Sequence, residues 1–391
     1  MHNLFPNRET SAQPLLPTYT PYPFPVVAGK GDCIVDTAGD RWLDFYGGHC
    51  VAGTGHCHPA VAAAIAEQAH QLIFYSAAAQ LPVRDAAAQS LVEFAGADMA
   101  SVFFCNSGAE ANESALKIAL KLTGRKEFLA FQGAFHGRTL LALSVTDSPA
   151  LRKDYQSLLA PTTFLPFGDG TALASADFSD VAAVIVEPIQ SMAGVKTASA
   201  AWFTALRDKC TRASALLIFD EVQTGIGRIG TPFAANFYGV VPDIITCAKG
   251  MASGVPMGGV LMRADISTQL KPGDLGSTFG GGPLACAALI ATLKVIREEN
   301  LMARADALAR HIRANIGDAV REVRGEGLLL GLDAGAQAKT LKQHLFDRHI
   351  LVGGSDDAAV LRLMPPLTVS VQTVETLLNA IHEFQAHGVA A

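Results

Sequence analysis

Between residues 101 and 263 the chain returns repeatedly to short apolar runs: "SVFFC", "EFLAF", "TTFLP", "AAVIV", "LLIFD", "IITCA" and "GVLM". None alternates apolar with polar residues, so each suits a strand buried on both faces, and helix-like segments fill several of the intervals. The pattern predicts a mostly parallel sheet covered by helices, an α/β domain. Beyond about residue 285 long helices dominate. "VQTVETLLNAIHEF" sets Val374, Leu377, Leu378, Ile381 and Phe384 on one stripe at helical spacing, beside the strand candidates "GLLLGL" and "VLRLM". Together these describe a smaller α+β domain. The expected division is an N-terminal arm and segment joining the small domain (1–52), a large ligand-binding domain (53–284) and a small C-terminal domain (285–391). The proline-rich start, up to about Pro25, reads as an extended arm, because each proline fixes φ and removes a backbone donor.

Charged residues make up 17% of the chain and hydrophobic ones 50%, against roughly 25% charged for an average soluble domain. So much apolar surface needs a large core or a subunit interface, and an oligomer is expected. The net charge of −6 and the absence of basic tracts interleaved with aromatics argue against nucleic acid as a partner. The longest apolar helix candidate, "PLACAALIATLKVI", falls short of the roughly 20 residues that span a bilayer, and the first residues do not form a secretory signal. Seven scattered cysteines without a C-x-x-C pair read as reduced thiols, and a cytoplasmic location is expected.

Two strand ends carry opposite charges. "LLIFDEVQTG" ends an apolar run in Asp220 and Glu221, and "IITCAKGMASG" ends the next one in Lys249. In open α/β sheets the carboxyl ends of the strands face the ligand crevice. After "SVFFC", the residues Asn106, Ser107 and Gly108 lead into a helix with Ala111, Ala115, Leu116, Ala119 and Leu122 on its buried face and Glu113 and Lys117 as an outward i,i+4 pair. Its start is either an ordinary cap or a phosphate site using free N–H groups and the helix dipole. A lysine, an aspartate and a phosphate-binding helix start in one cleft meet the needs of pyridoxal phosphate. An amine desolvated among small residues becomes a nucleophile, an aspartate keeps the pyridine nitrogen protonated, and the glycine beside the lysine allows close approach. Two decoys fail on context. "GIGRIG" (225–230) lacks the strand-turn-helix setting of a dinucleotide fingerprint, and His56, Cys57, His58 and His70 lack the spacing of a zinc site, so no metal is expected.

The ordered motifs "NSGAEANESALK", "FHGRT", "VEPIQ", "FDEVQTGIGR", "CAKGM" and "GSTFGGGPLACAA" resemble the class III (subgroup II) aminotransferases from about residue 20 to residue 385. The early "DFYGGHCVAGTGHCHP" and the late "LRLMPPL" look most like the acetylornithine and succinylornithine branch. The resemblance implies fold type I, a seven-stranded sheet in the large domain, and a homodimer with shared active sites. It implies that Lys249 carries the cofactor and shuttles the proton, and that Asp220 pairs with the ring nitrogen. Val222 and Gln223 would lie against the ring and its oxygen, Phe135 on the other face, and Glu187 of "VEPIQ" in the cofactor site. Ser107, Gly108 and Ala109 would hold the phosphate, with Thr278 reaching it from the partner chain and Ser277 beside the substrate. Arg138 would clamp the distal carboxylate and Arg362 the α-carboxylate of glutamate or 2-oxoglutarate.

One departure stands out: close relatives read "EPIQGE" or "EPVQGE", and this chain reads "EPIQSM", so Met192 replaces an acid thought to cover the arginine matching Arg362. A thioether cannot neutralise a guanidinium, so Arg362 is masked by something else or stays bare. His49 and Cys50, near the side-chain pocket by the same resemblance, are unassigned. The implied reaction moves the terminal amine of N2-acetylornithine, or a close N-acylated ornithine, to 2-oxoglutarate, giving the semialdehyde and glutamate in arginine biosynthesis. Ornithine, succinylornithine and 4-aminobutyrate are alternative donors, and an aminomutase is the alternative of another class.

Overall fold

Apolar strands buried on both faces need a helical layer on each side, and the chain supplies both. The structure, a computed structural model, describes residues 15, 16, 18–96 and 98–388. Residues 1–14 and 17 of the expected arm lie outside the described residues. Strands β1 (Val26–Lys30), β2 (Cys33–Asp36) and β3 (Arg41–Asp44) form an antiparallel meander. There follow β4 (Met99–Cys105), β5 (Glu127–Phe131), β6 (Thr162–Leu165) and β7 (Val181–Val186). A short hairpin comes next, β8 (Ile189–Gln190) with β9 (Lys196–Thr197), then β10 (Leu216–Asp220), β11 (Ile244–Cys247) and β12 (Gly258–Arg263). The C-terminal part adds β13 (Glu322–Glu326), β14 (Leu329–Asp333), β15 (Ile350–Leu351) and β16 (Val360–Leu363).

Seven strands make the main sheet, in the order β4-β12-β11-β10-β7-β5-β6. All neighbours are parallel except at β12, which runs against both β4 and β11. Every residue of β7 is buried, and from Ala183 onward its side chains alternate between the two faces. Ala183 and Ile185 pack with Ala111, Ala115, Leu116 and Ala119 of the helix Gly108–Thr123, while Val184 and Val186 pack with Trp202, Phe203 and Leu206 on the opposite face. Leu122 is only half-buried. That helix opens on a capping arrangement, the Ser107 hydroxyl accepting from the N–H of Glu110 at 3.2 Å and the Glu110 carboxylate from the N–H of Asn106 at 2.6 Å. It stops at Gly124, whose φ of 69° is open to glycine at no steric cost.

Glu113 does not form the expected pair with Lys117. Its carboxylate accepts from the Thr139 hydroxyl at 2.6 Å and from the N–H groups of Leu141 and Ala142 at 3.0 and 3.2 Å. Unpaired donors at the start of the helix Leu140–Ser144 outbid a solvated ammonium for the acid.

The C-terminal sheet has the order β13-β14-β16, and β15 pairs in parallel with β3, so the N-terminal meander and the C-terminal part share a sheet. The last helix, Val371–Gly388, buries Val374, Leu377, Leu378 and Ile381 completely and packs the half-buried Phe384 against them. Each fully buried aliphatic chain contributes about 2 kcal/mol of transfer free energy. In "GIGRIG" the buried Arg228 donates to the carbonyls of Leu328, at 3.2 Å, and Pro365, tying the C-terminal part to the turn after β10. No helix among the described residues is long and apolar enough to cross a membrane.

Candidate active site

Strand parity decides which of the two acids at the end of β10, Asp220 or Glu221, faces the cleft. Asp220 continues the side of Ile218 towards the helix Gly108–Thr123, and Glu221 continues the side of Leu217 and Phe219. Glu221 is spent on structure: its carboxylate accepts from the N–H groups of Ala234 (2.5 Å) and Ala235 (2.9 Å), at the start of the helix Ala234–Tyr238, and from the Thr224 hydroxyl at 3.0 Å. Asp220, 4% exposed, instead accepts from Asn112 Nδ2 and His136 Nδ1, both at 2.7 Å, and from the N–H of Val222 at 3.1 Å. Asn112 is oriented in turn, its amide oxygen accepting from the Thr246 hydroxyl at 2.6 Å.

The register of β10 against β11 sets Asp220 opposite Thr246, three residues before Lys249. At Lys249 the chain takes φ of 47°, a left-handed conformation that a side chain adopts at a cost on the order of 1 kcal/mol. Burial pushes the ammonium pKa down and the charge of Arg362 adds to the shift, while Cys50, Asp220 and Glu187 oppose it. Gly250 packs beside Gly53 rather than lining the cavity, so it does not open the lysine's flank to a ligand as expected; Gly254 lies on the wall instead. The reason is local, since the turn after Lys249 must pass over the backbone of residue 53.

A cavity of about 530 Å³ lies between these strand ends. Its wall brings together Ser107, Gly108, Ala109, Phe135, Arg138, Glu187, Asp220, Val222, Gln223 and Lys249. Gly108 and Ala109 are the first residues of their helix, whose opening N–H groups have no intrahelical acceptor. A Cβ on Gly108 would lie 2.9 Å from Val222 Cγ2, so only glycine lets the helix start and the strand tip close on one another there. The Glu187 carboxylate accepts from the N–H of Phe135 at 2.8 Å, and burial lifts its pKa to about 7 against the pull of His136. Two buried polar atoms at the site, Gln223 Oε1 and His136 Nε2, have no hydrogen-bond partner.

Three expected residues lie off that wall. The Ser277 hydroxyl accepts from Asn106 Nδ2 at 3.2 Å, at the rim, and Thr278 is exposed. Arg362, on β16, is buried, with Nη1 donating to the Ser191 hydroxyl at 3.0 Å and Nε to the Gly354 carbonyl at 2.5 Å. Met192 is half-buried, and its carbonyl accepts from the N–H of Asp356 at 2.8 Å. His49 is hydrogen-bonded to the Tyr46 hydroxyl, and its ring stands 5.8 Å from that of Tyr19. Sequence reasoning missed Asn112, His136, Thr246 and Tyr19. A polar residue on the apolar stripe of its helix was the signal for Asn112; Tyr19, in a proline-rich arm, gave none. His56 and His58 are hydrogen-bonded to Asp44 (2.8 Å) and Glu299 (3.1 Å) respectively, and no metal-ligating cluster exists among the described residues.

The profile of the Aminotransferase class-III family matches residues 16–384. The chain belongs to the class-III aminotransferases. An acetylornithine aminotransferase of Methanopyrus kandleri is 42% identical over 365 residues, covering 92% of this chain and 94% of the relative. Among solved class-III and related folds, the ornithine aminotransferase of Toxoplasma gondii superposes with a TM-score of 0.89 at 32% identity, covering 96% of this chain and 93% of that one. An amine transaminase from an uncultivated Pseudomonas species, solved in a PLP-bound form, gives 0.85 at 28% identity, covering 96% and 98%. For this class-III aminotransferase the fold is therefore that of the PLP-dependent family, with its mostly parallel seven-stranded sheet.

Proposed function

We propose that this aminotransferase uses pyridoxal phosphate to move the terminal amine of N2-acetylornithine, or a close N2-acyl ornithine, to 2-oxoglutarate, giving the semialdehyde and glutamate in arginine biosynthesis. The observation that carries the reading is the pairing of a buried, three-fold hydrogen-bonded carboxylate with a desolvated lysine on one cavity wall. The residues fit the cofactor: a helix start offers N–H donors to a phosphate, Gly108 lies flush with Val222, and Gln223 Oε1 waits for a donor. When bound, pyridoxal phosphate supplies an electron-accepting ring and an aldehyde that takes up an amine.

The chain's own residues do the rest. Asp220, held by Asn112 and His136, would keep the ring nitrogen protonated. Ser107, Gly108 and Ala109 would bind the phosphate, and Phe135, Val222, Gln223 and Glu187 would hold the ring. Lys249 Nζ would hold the cofactor and then move the proton at the substrate's reacting carbon, a task for an amine whose pKa lies below its ordinary value. Arg138 grips the distal carboxylate of donor and acceptor alike, Ser277 lies beside the substrate, and Arg362 receives the carboxylate next to the reacting carbon of 2-oxoglutarate. We further propose a homodimer in which Thr278 of a second copy reaches the phosphate, a cytoplasmic location that suits seven free cysteines, and the division into 1–52, 53–284 and 285–391.

A donor panel with 2-oxoglutarate tests the reading. Acetylornithine should outpace ornithine, succinylornithine and 4-aminobutyrate, and Lys249→Ala should abolish turnover. Preference for an unacylated donor, or product formed without any 2-oxoglutarate, would overturn it.

A further inference from the structure

Arg362 is 4% exposed, yet among the described residues no carboxylate lies within ion-pair distance of it. Its two hydrogen-bond partners, the Ser191 hydroxyl and the Gly354 carbonyl, are neutral. Glu187 and Asp356 act on it only from farther off. Its charge reaches the catalytic cavity all the same, since it adds to the downward push on the pKa of Lys249, a wall residue. A buried guanidinium with no counter-charge is costly, and hydrogen bonds to neutral oxygens offset only part of that cost.

Ser191 is fully buried where β8 ends, its hydroxyl proton engaged only by a weak contact to Met364 Sδ at 3.9 Å. The next carbonyl, that of Met192, accepts from the N–H of Asp356 at 2.8 Å, so the segment holding Ser191 is anchored. The hydroxyl both orients the guanidinium and keeps a proton to offer.

We propose that Arg362 and Ser191 form a site for a small monovalent anion of the chloride class, filled while the amino donor is bound and vacated for 2-oxoglutarate. This rests on the reading of Arg362 given above. N2-acetylornithine reacting through its terminal amine carries its only carboxylate to the Arg138 end, and leaves Arg362 unanswered. An anion from solution supplies the missing charge. The acceptor brings a carboxylate of its own to Arg362, so the same anion competes with it. Chloride therefore acts with opposite sign in the two half-reactions, which general screening of charge cannot do.

The test follows each half-reaction of the purified holoenzyme by cofactor absorbance, exchanging chloride for a bulky sulfonate at constant ionic strength. Chloride should speed amination by acetylornithine several-fold and raise the apparent KM for 2-oxoglutarate several-fold. It should also broaden the chloride NMR line in the cofactor-free protein. Met192→Glu, at a half-buried position, places a carboxylate beside Ser191 and should remove all three effects. Equal effects on both half-reactions, or effects that persist in Met192→Glu, would overturn the anion site. Arg362→Lys separates this proposal from the reading beneath it. If chloride is inert but Arg362→Lys still weakens 2-oxoglutarate, only the anion site fails; if Arg362→Lys leaves 2-oxoglutarate untouched, the carboxylate assignment fails with it.

Discussion

Glu187 and Glu221 are both carboxyls that burial lifts to about 7, Glu187 held by one backbone N–H and Glu221 by two. A carboxyl whose folded pKa lies above its unfolded value of about 4.3 binds its proton more tightly in the folded chain. Its contribution is most favourable below the unfolded pKa and is lost as pH rises towards 7. For the cofactor-free protein, Glu187→Gln should remove one such dependence. The difference in unfolding free energy between variant and parent should grow by on the order of 1–3 kcal/mol in the variant's favour between pH 5 and pH 8. Urea titrations at the two pH values measure it, and a difference that does not change with pH would refute the assignment. Asp220 and Lys249 were legible because each ends an apolar run. His136 and Asn112 were not, because their meaning arises only when a helix side and a strand tip meet around one carboxylate.

At the scale of elements, the site depends on how tightly β12 closes on the start of the helix Gly108–Thr123. A Cβ on Gly258 would sit 2.5 Å from the Ser107 carbonyl and 2.8 Å from Cys105 Sγ. Backbone has to move to accept it, and overpacking of this kind costs about 1–3 kcal/mol. Gly258→Ala should therefore displace the Ser107–Gly108 turn and weaken pyridoxal phosphate binding by about tenfold or more, with the circular dichroism unchanged. Unaltered cofactor affinity would show that the turn does not touch the phosphate. All seven strands of the sheet were visible as apolar runs. The antiparallel course of β12 was not, since a buried strand reads alike in both directions. The pairing of β3 with β15 was hidden for another reason, because it joins residues some three hundred positions apart through only two residue pairs.

For the whole molecule, apolar surface is the feature still to be accounted for. Leu72, Ile73, Phe74 and Tyr75 follow one another in the chain, all exposed, with Ile73 at 62%. Phe279, 64% exposed, brings its ring to 5.2 Å from that of Phe74, joining the two segments into one patch. Arg84 fastens them together by donating to the carbonyls of Gly281 at 2.8 Å and Tyr75 at 3.3 Å. The patch adjoins the rim of the cavity, because Ser277 and Thr278 immediately precede Phe279 and Ser277 is bonded to the wall residue Asn106. A chain with only 17% charged residues has few ways to keep such a surface in water, and contiguous exposed aromatics mark an interface. If a second copy covers it, Thr278 is carried to the neighbour's phosphate site. Phe279→Glu should then have two linked effects: light scattering should report the mass of one protomer at low concentration, and the affinity for pyridoxal phosphate should fall with it. A variant that stays dimeric and binds cofactor as tightly as the parent would place the interface elsewhere, and would leave Thr278 without a role.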